Sequence, residues 1–273
     1  MQVHSRLSLL LIACTAALVS AAGGSAITNG QPDGDGHPYV GLVITIDLDT
    51  NLASGCSGAL LSEEVFLTAG HCTDGAELAF VWFDEVWDGT LASADAAGTP
   101  HTYDGFCVGC GGGLPGFASG DVGVVTLDEV LSELPDEYAN VPTEGAVDGL
   151  ANKSAVDFVG YGVTFQAQLP GNVLPQPPPF YRWDGFGTRM YAPNQLVSGK
   201  FTHSDQFMKL SQSPSQGKGG TCFGDSGGPI LRGDTDTVLG VNSYGPNPNC
   251  SGVGYAQRVD TEPVLDWIGE FLP

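Results

Sequence analysis

The sequence predicts an all-β fold of short strands with one helix at the end. Three observations predict it. The 273 residues include 40 glycines and 18 prolines, and so much turn-forming residue suits short strands joined by tight turns. Short or alternating apolar runs recur between the turns at spacings typical of barrels and sandwiches. They are Val40–Ile46, Gly58–Leu61, Val65–Ala69, Val122–Leu127, Ala155–Val159 and Val238–Ser243. Only the tail departs, with Val264, Leu265, Trp267, Ile268, Phe271 and Leu272 near helical spacing. Thr261 or Asp260 is placed to cap that helix, Pro263 falls in its first turn, and its apolar stripe packs on the body. No fixed-period repeat is present. At 42% hydrophobic residues the core is sizeable, so disulfides supplement stability.

Residues 1–26 read as a secretory signal peptide. Arg6 supplies the basic start, Leu7 to Val19 the apolar stretch, and Ser20 to Ala26 a small-residue cleavage region. The apolar stretch is too short to span a bilayer. Cleavage after Ala26 makes Ile27 the first residue, whereas cleavage after Ala21 leaves Ala22 to Ala26 as a short pro-segment. A rival localisation is lipid anchoring through Cys14, because Leu11-Ile12-Ala13-Cys14 resembles a lipobox. Without the signal, Cys56, Cys72, Cys107, Cys110, Cys222 and Cys250 remain. An even count behind a signal implies disulfides in an oxidising compartment. Cys107-Val108-Gly109-Cys110 has redox-motif spacing but no βαβ setting, so a local loop disulfide is the better reading.

The charge balance is acidic, 31 Asp+Glu against 9 Lys+Arg for a net −22. Such a surface repels nucleic acid and anionic membranes, favours basic or neutral substrates, and above all keeps the protein soluble. Leu169 to Phe180 is Pro-rich and reads as a surface loop. Asn152 and Asn249 begin glycosylation sequons, meaningful only in a eukaryotic secretory route.

Three segments carry chemistry. Gly224-Asp225-Ser226-Gly227-Gly228-Pro229 offers a serine, Thr68-Ala69-Gly70-His71-Cys72 a histidine, and Gly120-Asp121-Val122-Gly123-Val124-Val125 an aspartate heading an apolar run. A serine hydroxyl is a weak nucleophile at neutral pH. An imidazole must take its proton, and a carboxylate must fix the imidazole's tautomer. The chain order is His71, Asp121, Ser226. Each residue alone is more often structural, and the three together favour catalysis. No His-Glu-x-x-His pattern exists, which disfavours a metal hydrolase. No metal and no cofactor are expected.

With softer matches at His37-Pro38-Tyr39-Val40, Gly160-Tyr161-Gly162, Ser243-Tyr244-Gly245 and Trp267-Ile268, the chain resembles the chymotrypsin/trypsin-like serine proteases over nearly all of residues 27–273. The resemblance implies two six-stranded antiparallel β-barrels with the active site between them, roughly 27–145 and 146–273, the second ending in the helix. It implies His71, Asp121 and Ser226 as catalytic residues and the N–H groups of Gly224 and Ser226 as an oxyanion hole. It also implies disulfides Cys56–Cys72 and Cys222–Cys250, with Cys107–Cys110 lacking a common family counterpart. Gly220, Thr221, Ser243, Tyr244 and Gly245 are expected at the substrate pocket. Gly220 stands at the floor position where trypsin-type enzymes carry aspartate, which argues against basic P1 residues and for an uncharged one. Ile27 resembles the family's mature start, its amine pairing with Asp225, although Ala26 precedes it where family zymogens usually have Arg or Lys.

The implied function is a secreted, monomeric serine endopeptidase acting on proteins or peptides, with proteinaceous inhibitors as further partners. Two other classes share the residues. One is a catalytically silent binding scaffold, which usually loses a triad residue. The other is an esterase or acyltransferase using the same nucleophile.

Overall fold

The structure is a computed structural model that describes residues 27–110, 118–168, 181–198, 205–213, 218–248 and 250–273. The signal peptide, Cys14, the Pro-rich loop and Asn249 lie outside the described residues.

The apolar alternation of Val40–Asp47 drives its pairing with Leu52–Ser62, from Val40 opposite Ala59 to Asp47 opposite Leu52. The sheet continues through Val65–Thr68, Gly123–Val130, Ala96–Thr102 and Leu78–Trp82, and returns to Val40–Asp47 as a closed barrel. Val40, Leu42, Leu60, Phe66, Val81 and Val124 are fully buried in its core. The second sheet runs Met190–Ser198, Ala155–Gly160, Pro229–Arg232, Val238–Tyr244, Gly252–Arg258 and Phe207–Gln212. Pairing of Leu196 with Leu210 closes it into a second barrel, filled by Phe158, Leu196, Met208, Ile230 and Leu239. Every apolar run of the sequence lies in these strands, save that Ala69 and Val122 fall just outside. Ala96–Thr102 and Met190–Ser198 escape that pattern because Pro100 and Pro193 interrupt it, yet both prolines pair across the ladder, with Val125 and Asp157.

Two expectations need correction. Residues 27–32, grouped above with the first barrel, lie on the second. Ile27 is buried in the second core, Thr28 and Gly220 exchange backbone bonds of 2.8 and 3.0 Å, and Gln31–Pro32 adds to Met190–Ser198. Burial of one apolar residue thus outweighs chain order. The final helix, Glu262–Gly269, has Thr261 at its cap position, but no side chain caps it. Asp260 is committed elsewhere, to Arg258 at 2.7 Å and the Val147 N–H at 2.7 Å. The helix stripe packs across the molecule on the first barrel, Trp267 against Tyr103 and Phe271 against His101. No helix among the described residues is long and apolar enough to cross a membrane.

Between the barrels lies a buried cation. Arg189, 3% exposed, reaches Asp33 at 3.0 Å, the Phe83 carbonyl at 2.7 Å, the Gly34 carbonyl at 2.8 Å and the Tyr161 hydroxyl at 3.2 Å. Burial disfavours the Asp33 carboxylate, but the His37 hydrogen bond and the His37 and Arg189 charges outweigh it and hold its pKa below the usual value. Arg189→Met should leave Asp33 and three acceptors uncompensated. The expected loss is about 3–5 kcal/mol of unfolding free energy by urea titration. A loss under about 1 kcal/mol would mean the network is dispensable.

Candidate active site

The site is assembled where the two barrels meet. His71 sits on the one-turn helix Gly70–Thr73, directly after the strand Val65–Thr68. That turn is pinned by the Cys56–Cys72 disulfide and by Thr45 Oγ1, which donates to the Cys72 carbonyl at 2.6 Å. Asp121, fully buried, takes both the His71 backbone N–H (2.8 Å) and Nδ1 (2.9 Å). A carboxylate only accepts, so Nδ1 carries the proton and Nε2 is left as a base. Ser243 Oγ donates to Asp121 at 2.5 Å, and Gln257 Oε1 accepts the Asp121 N–H at 3.1 Å. The sequence reading put Ser243 on the substrate pocket. The structure gives it a second task at the carboxylate, and it adds Gln257, which no motif marks.

Electrostatics follow from these contacts. Burial works against the His71 cation, but the hydrogen bond and charge of Asp121 together prevail, and the pKa of His71 is raised above its ordinary value. Burial works against the Asp121 anion, but His71 and Ser243 prevail, and its pKa is lowered.

Ser226 lies on a turn whose shape depends on glycine. Gly224 has φ +93°, and a Cβ there would stand 2.7 Å from the Phe186 ring. Gly227 has φ +78°, and a Cβ there would stand 2.7 Å from the Ala69 nitrogen. This close approach sets the serine turn against the segment that leads into His71. Ser57, wholly buried, joins them. Its N–H donates to the Ser226 carbonyl (2.8 Å) and its Oγ to the Gly224 carbonyl (2.9 Å), while its own carbonyl accepts from Thr68 Oγ1 (2.8 Å). Among the described residues, no acceptor is bonded to the N–H of Gly224 or of Ser226.

Asp225, between them, is 1% exposed. It accepts from Gly162 N and Cys222 N at 2.8 Å each and forms no ion pair among the described residues. Burial pushes its pKa up to about 7, against the two N–H bonds. Ile27, the expected partner, is buried in the second core with φ +47°, a left-handed conformation rare for a β-branched residue.

A cavity of about 210 Å³ opens beside Ser226. Thr221, Ser243, Tyr244 and Gly245 line it, with Gln212, Asn242 and Asn247. Cys222 is bonded to Cys250, tying the serine turn to the cavity wall. Gly220, expected at the floor, is not among the lining residues. It bridges Thr28 and stands directly behind the lining: a Cβ there would be 2.9 Å from Thr28 Oγ1, 3.1 Å from Gln212 Cβ and 3.3 Å from the Cys250 carbonyl, the last two belonging to lining residues. Gln212, which the sequence reading passed over, is among the lining residues. Cys107 and Cys110 are also joined, on a short hairpin of Cys107–Val108 with Ala118–Ser119. Cys56, His71 and Cys72 bring ligand atoms within 4.8 Å of one another, but both sulfurs are in the disulfide and have no thiolate for a metal.

Comparison with known proteins agrees with this architecture. Residues 187–268 match the trypsin family model. A trypsin of Saccharopolyspora erythraea is 26% identical over 214 residues, covering 77% of this chain and 82% of the relative. A brachyurin of Leptuca pugilator is 28% identical over 223 residues, covering 78% and 85%. Among solved structures, HL collagenase superposes with TM-score 0.67 at 19% identity, over 89% of this chain and 97% of that one. A scabies mite inactivated protease paralogue superposes with TM-score 0.58 at 18% identity, over 91% and 97%. The two closed barrels are those of the chymotrypsin fold, residues 187–268 carry a trypsin family-model domain, and the curated relatives are named trypsin and brachyurin, so the chain is similar to the chymotrypsin/trypsin-like serine proteases.

Proposed function

We propose that the chain is a secreted serine endopeptidase that cleaves peptide bonds through an acyl-enzyme on Ser226. The observation that carries this reading is the pair of uncommitted N–H groups at Gly224 and Ser226, beside an imidazole already oriented by Asp121. In the first step Ser226 Oγ adds to the peptide carbonyl carbon, and its proton goes to His71 Nε2. The two N–H groups receive the oxyanion; one such donor is worth about 3–4 kcal/mol. His71 then returns the proton to the leaving amine, and water repeats the sequence on the acyl-enzyme. Throughout, Asp121 holds the tautomer and stabilises the imidazolium.

The kinship with trypsin and brachyurin supports peptidase chemistry. The disulfides fit an exported protein. Protein or peptide substrates, proteinaceous inhibitors and a monomeric state complete the reading, with residues 1–26 as the signal and 27–273 as the protease domain.

Signal cleavage after Ala26 would activate the enzyme directly. Ile27 is already buried, and cutting the Ala26–Ile27 bond removes its strained φ and frees an ammonium for Asp225. No basic residue lies between Arg6 and Ile27, so a trypsin-like activator has no target there.

Three outcomes test this. Wild-type protein should be labelled by a fluorophosphonate and should cleave peptides. Ser226→Ala and His71→Ala should each lose nearly all activity, and the double mutant should be scarcely worse. Full activity in Ser226→Ala would sink the mechanism, and an unlabelled, inert wild type would indicate a binding scaffold.

The pH profile follows from the raised pKa of His71. The base works only when neutral, so kcat/KM should fall as pH drops through a midpoint above the ordinary histidine value of about 6.5. Asp121→Asn should move that midpoint down; an unmoved midpoint would separate the acid limb from the His71–Asp121 pair.

The third outcome concerns Asp225. With the Ala26–Ile27 bond intact, its folded pKa of about 7 exceeds the reference 3.8. The folded state then binds more protons between those values, so stability falls as pH rises from about 4 to 7. In the chain beginning at Ile27 the ammonium keeps Asp225 ionised and the slope disappears. The paired amine's own contribution is lost only as pH rises through its pKa, raised above about 8. Thermal melts of the two chains across this range decide it, and equal slopes would remove the pairing.

A further inference from the structure

Among the described residues, the lining of the cavity beside Ser226 holds no charged side chain, yet it includes the buried amide of Gln212. Gln212 ends the strand Phe207–Gln212, where it pairs with Gly252. The residue is 2% exposed. Nε2 donates to Thr221 Oγ1 at 2.6 Å and to the Thr221 carbonyl at 3.3 Å. A carbonyl only accepts, so the amide nitrogen must face Thr221, and the orientation is fixed. Gly254 leaves space for this amide, since a Cβ there would stand 2.8 Å from Gln212 Cδ. Oε1 is turned the other way, toward Gly245, where a Cβ would be 3.7 Å from it. No donor is bonded to Oε1 among the described residues, and no buried side-chain oxygen there lacks a partner. Oε1 is therefore open to the cavity.

We propose that Gln212 is the specificity-determining residue of this site, its Oε1 selecting neutral P1 side chains that donate a hydrogen bond, glutamine first and asparagine next. This rests on reading Ser226 as the nucleophile of a peptidase. A P1 glutamine amide would donate to Oε1. A P1 methionine of similar length would bury Oε1 without a donor, and desolvation of an unpaired acceptor is costly. A P1 glutamate would set a buried anion against a carbonyl oxygen, which is worse. Lysine and arginine would find a donor-accepting oxygen but no counter-charge for the buried cation.

The test is a set of otherwise identical peptides with Gln, Met, Glu or Lys at P1, cleaved by the wild type and by Gln212→Met and Gln212→Glu. For the wild type, kcat/KM should favour Gln over Met by roughly tenfold and over Glu by more. Gln212→Met should bring the Gln-to-Met ratio to one or below, and Gln212→Glu should shift preference toward Lys. Wild-type cleavage as fast after Met as after Gln would overturn the proposal. So would either folded variant keeping the wild-type order. Fluorophosphonate labelling of the wild type separates the two readings: a labelled enzyme without glutamine preference refutes the role of Gln212 alone, and an unlabelled one refutes the peptidase reading beneath it.

Discussion

The geometry of the candidate site depends on the way Ser57 spends its polar groups. It lies on a first-barrel strand, opposite Leu42, yet two of its bonds hold the second barrel's serine turn, through the carbonyls of Ser226 and Gly224. A third comes from Tyr161 N, which donates to Ser57 Oγ at 2.9 Å. The fourth, from Thr68 Oγ1, returns to the strand that leads to His71. When the carbonyls of Gly224 and Ser226 are engaged from behind, the peptide planes of the turn are fixed from that side. In a buried setting each such bond is expensive to leave unmade, so the turn has one arrangement at little cost in later ordering.

Buried charge is handled in two contrasting ways. Arg189 sits amid acceptors from the N-terminal segment and both barrels, and with Asp33 it makes a compensated pair. Such a pair adds little net stability against an apolar replacement, but breaking it is costly, so its service is to fix how the barrels dock. Asp225 has no ion pair among the described residues, and its burial raises its pKa. A buried acid without a cation beside the serine puts electrostatic stress at the place where a new ammonium would relieve it.

What the sequence made legible was chemistry carried by short contiguous segments. Thr68–Cys72, Gly120–Val125 and Gly224–Pro229 each position one reactive group by local backbone form, so each left a motif. The strands with unbroken apolar runs were legible for the same reason, since period and burial coincide. The illegible parts come from long-range placement. Gln257 and Ser57 act through partners 136 and 167 residues away, and Gln212 bonds Thr221 nine residues on with no motif between them. Residues 27–32 were assigned by chain order, whereas Ile27 follows the apolar core that has room for it.

The cavity floor shows why family position and physical occupancy differ. The reading placed Gly220 there by its distance in sequence from Ser226. In the structure its neighbours are Thr28 and Gln212, and its missing side chain makes space for the Thr28 bridge. Gly220 stands behind the lining, and Gln212 reaches the cavity because Gly254 on the neighbouring strand has no side chain to compete. One glycine thus serves the anchoring of the N-terminus and another the floor of the cavity. The two tasks share a single strand end, Phe207–Gln212, so a change that loosens Thr28 would reach the base of the cavity through contacts already in place.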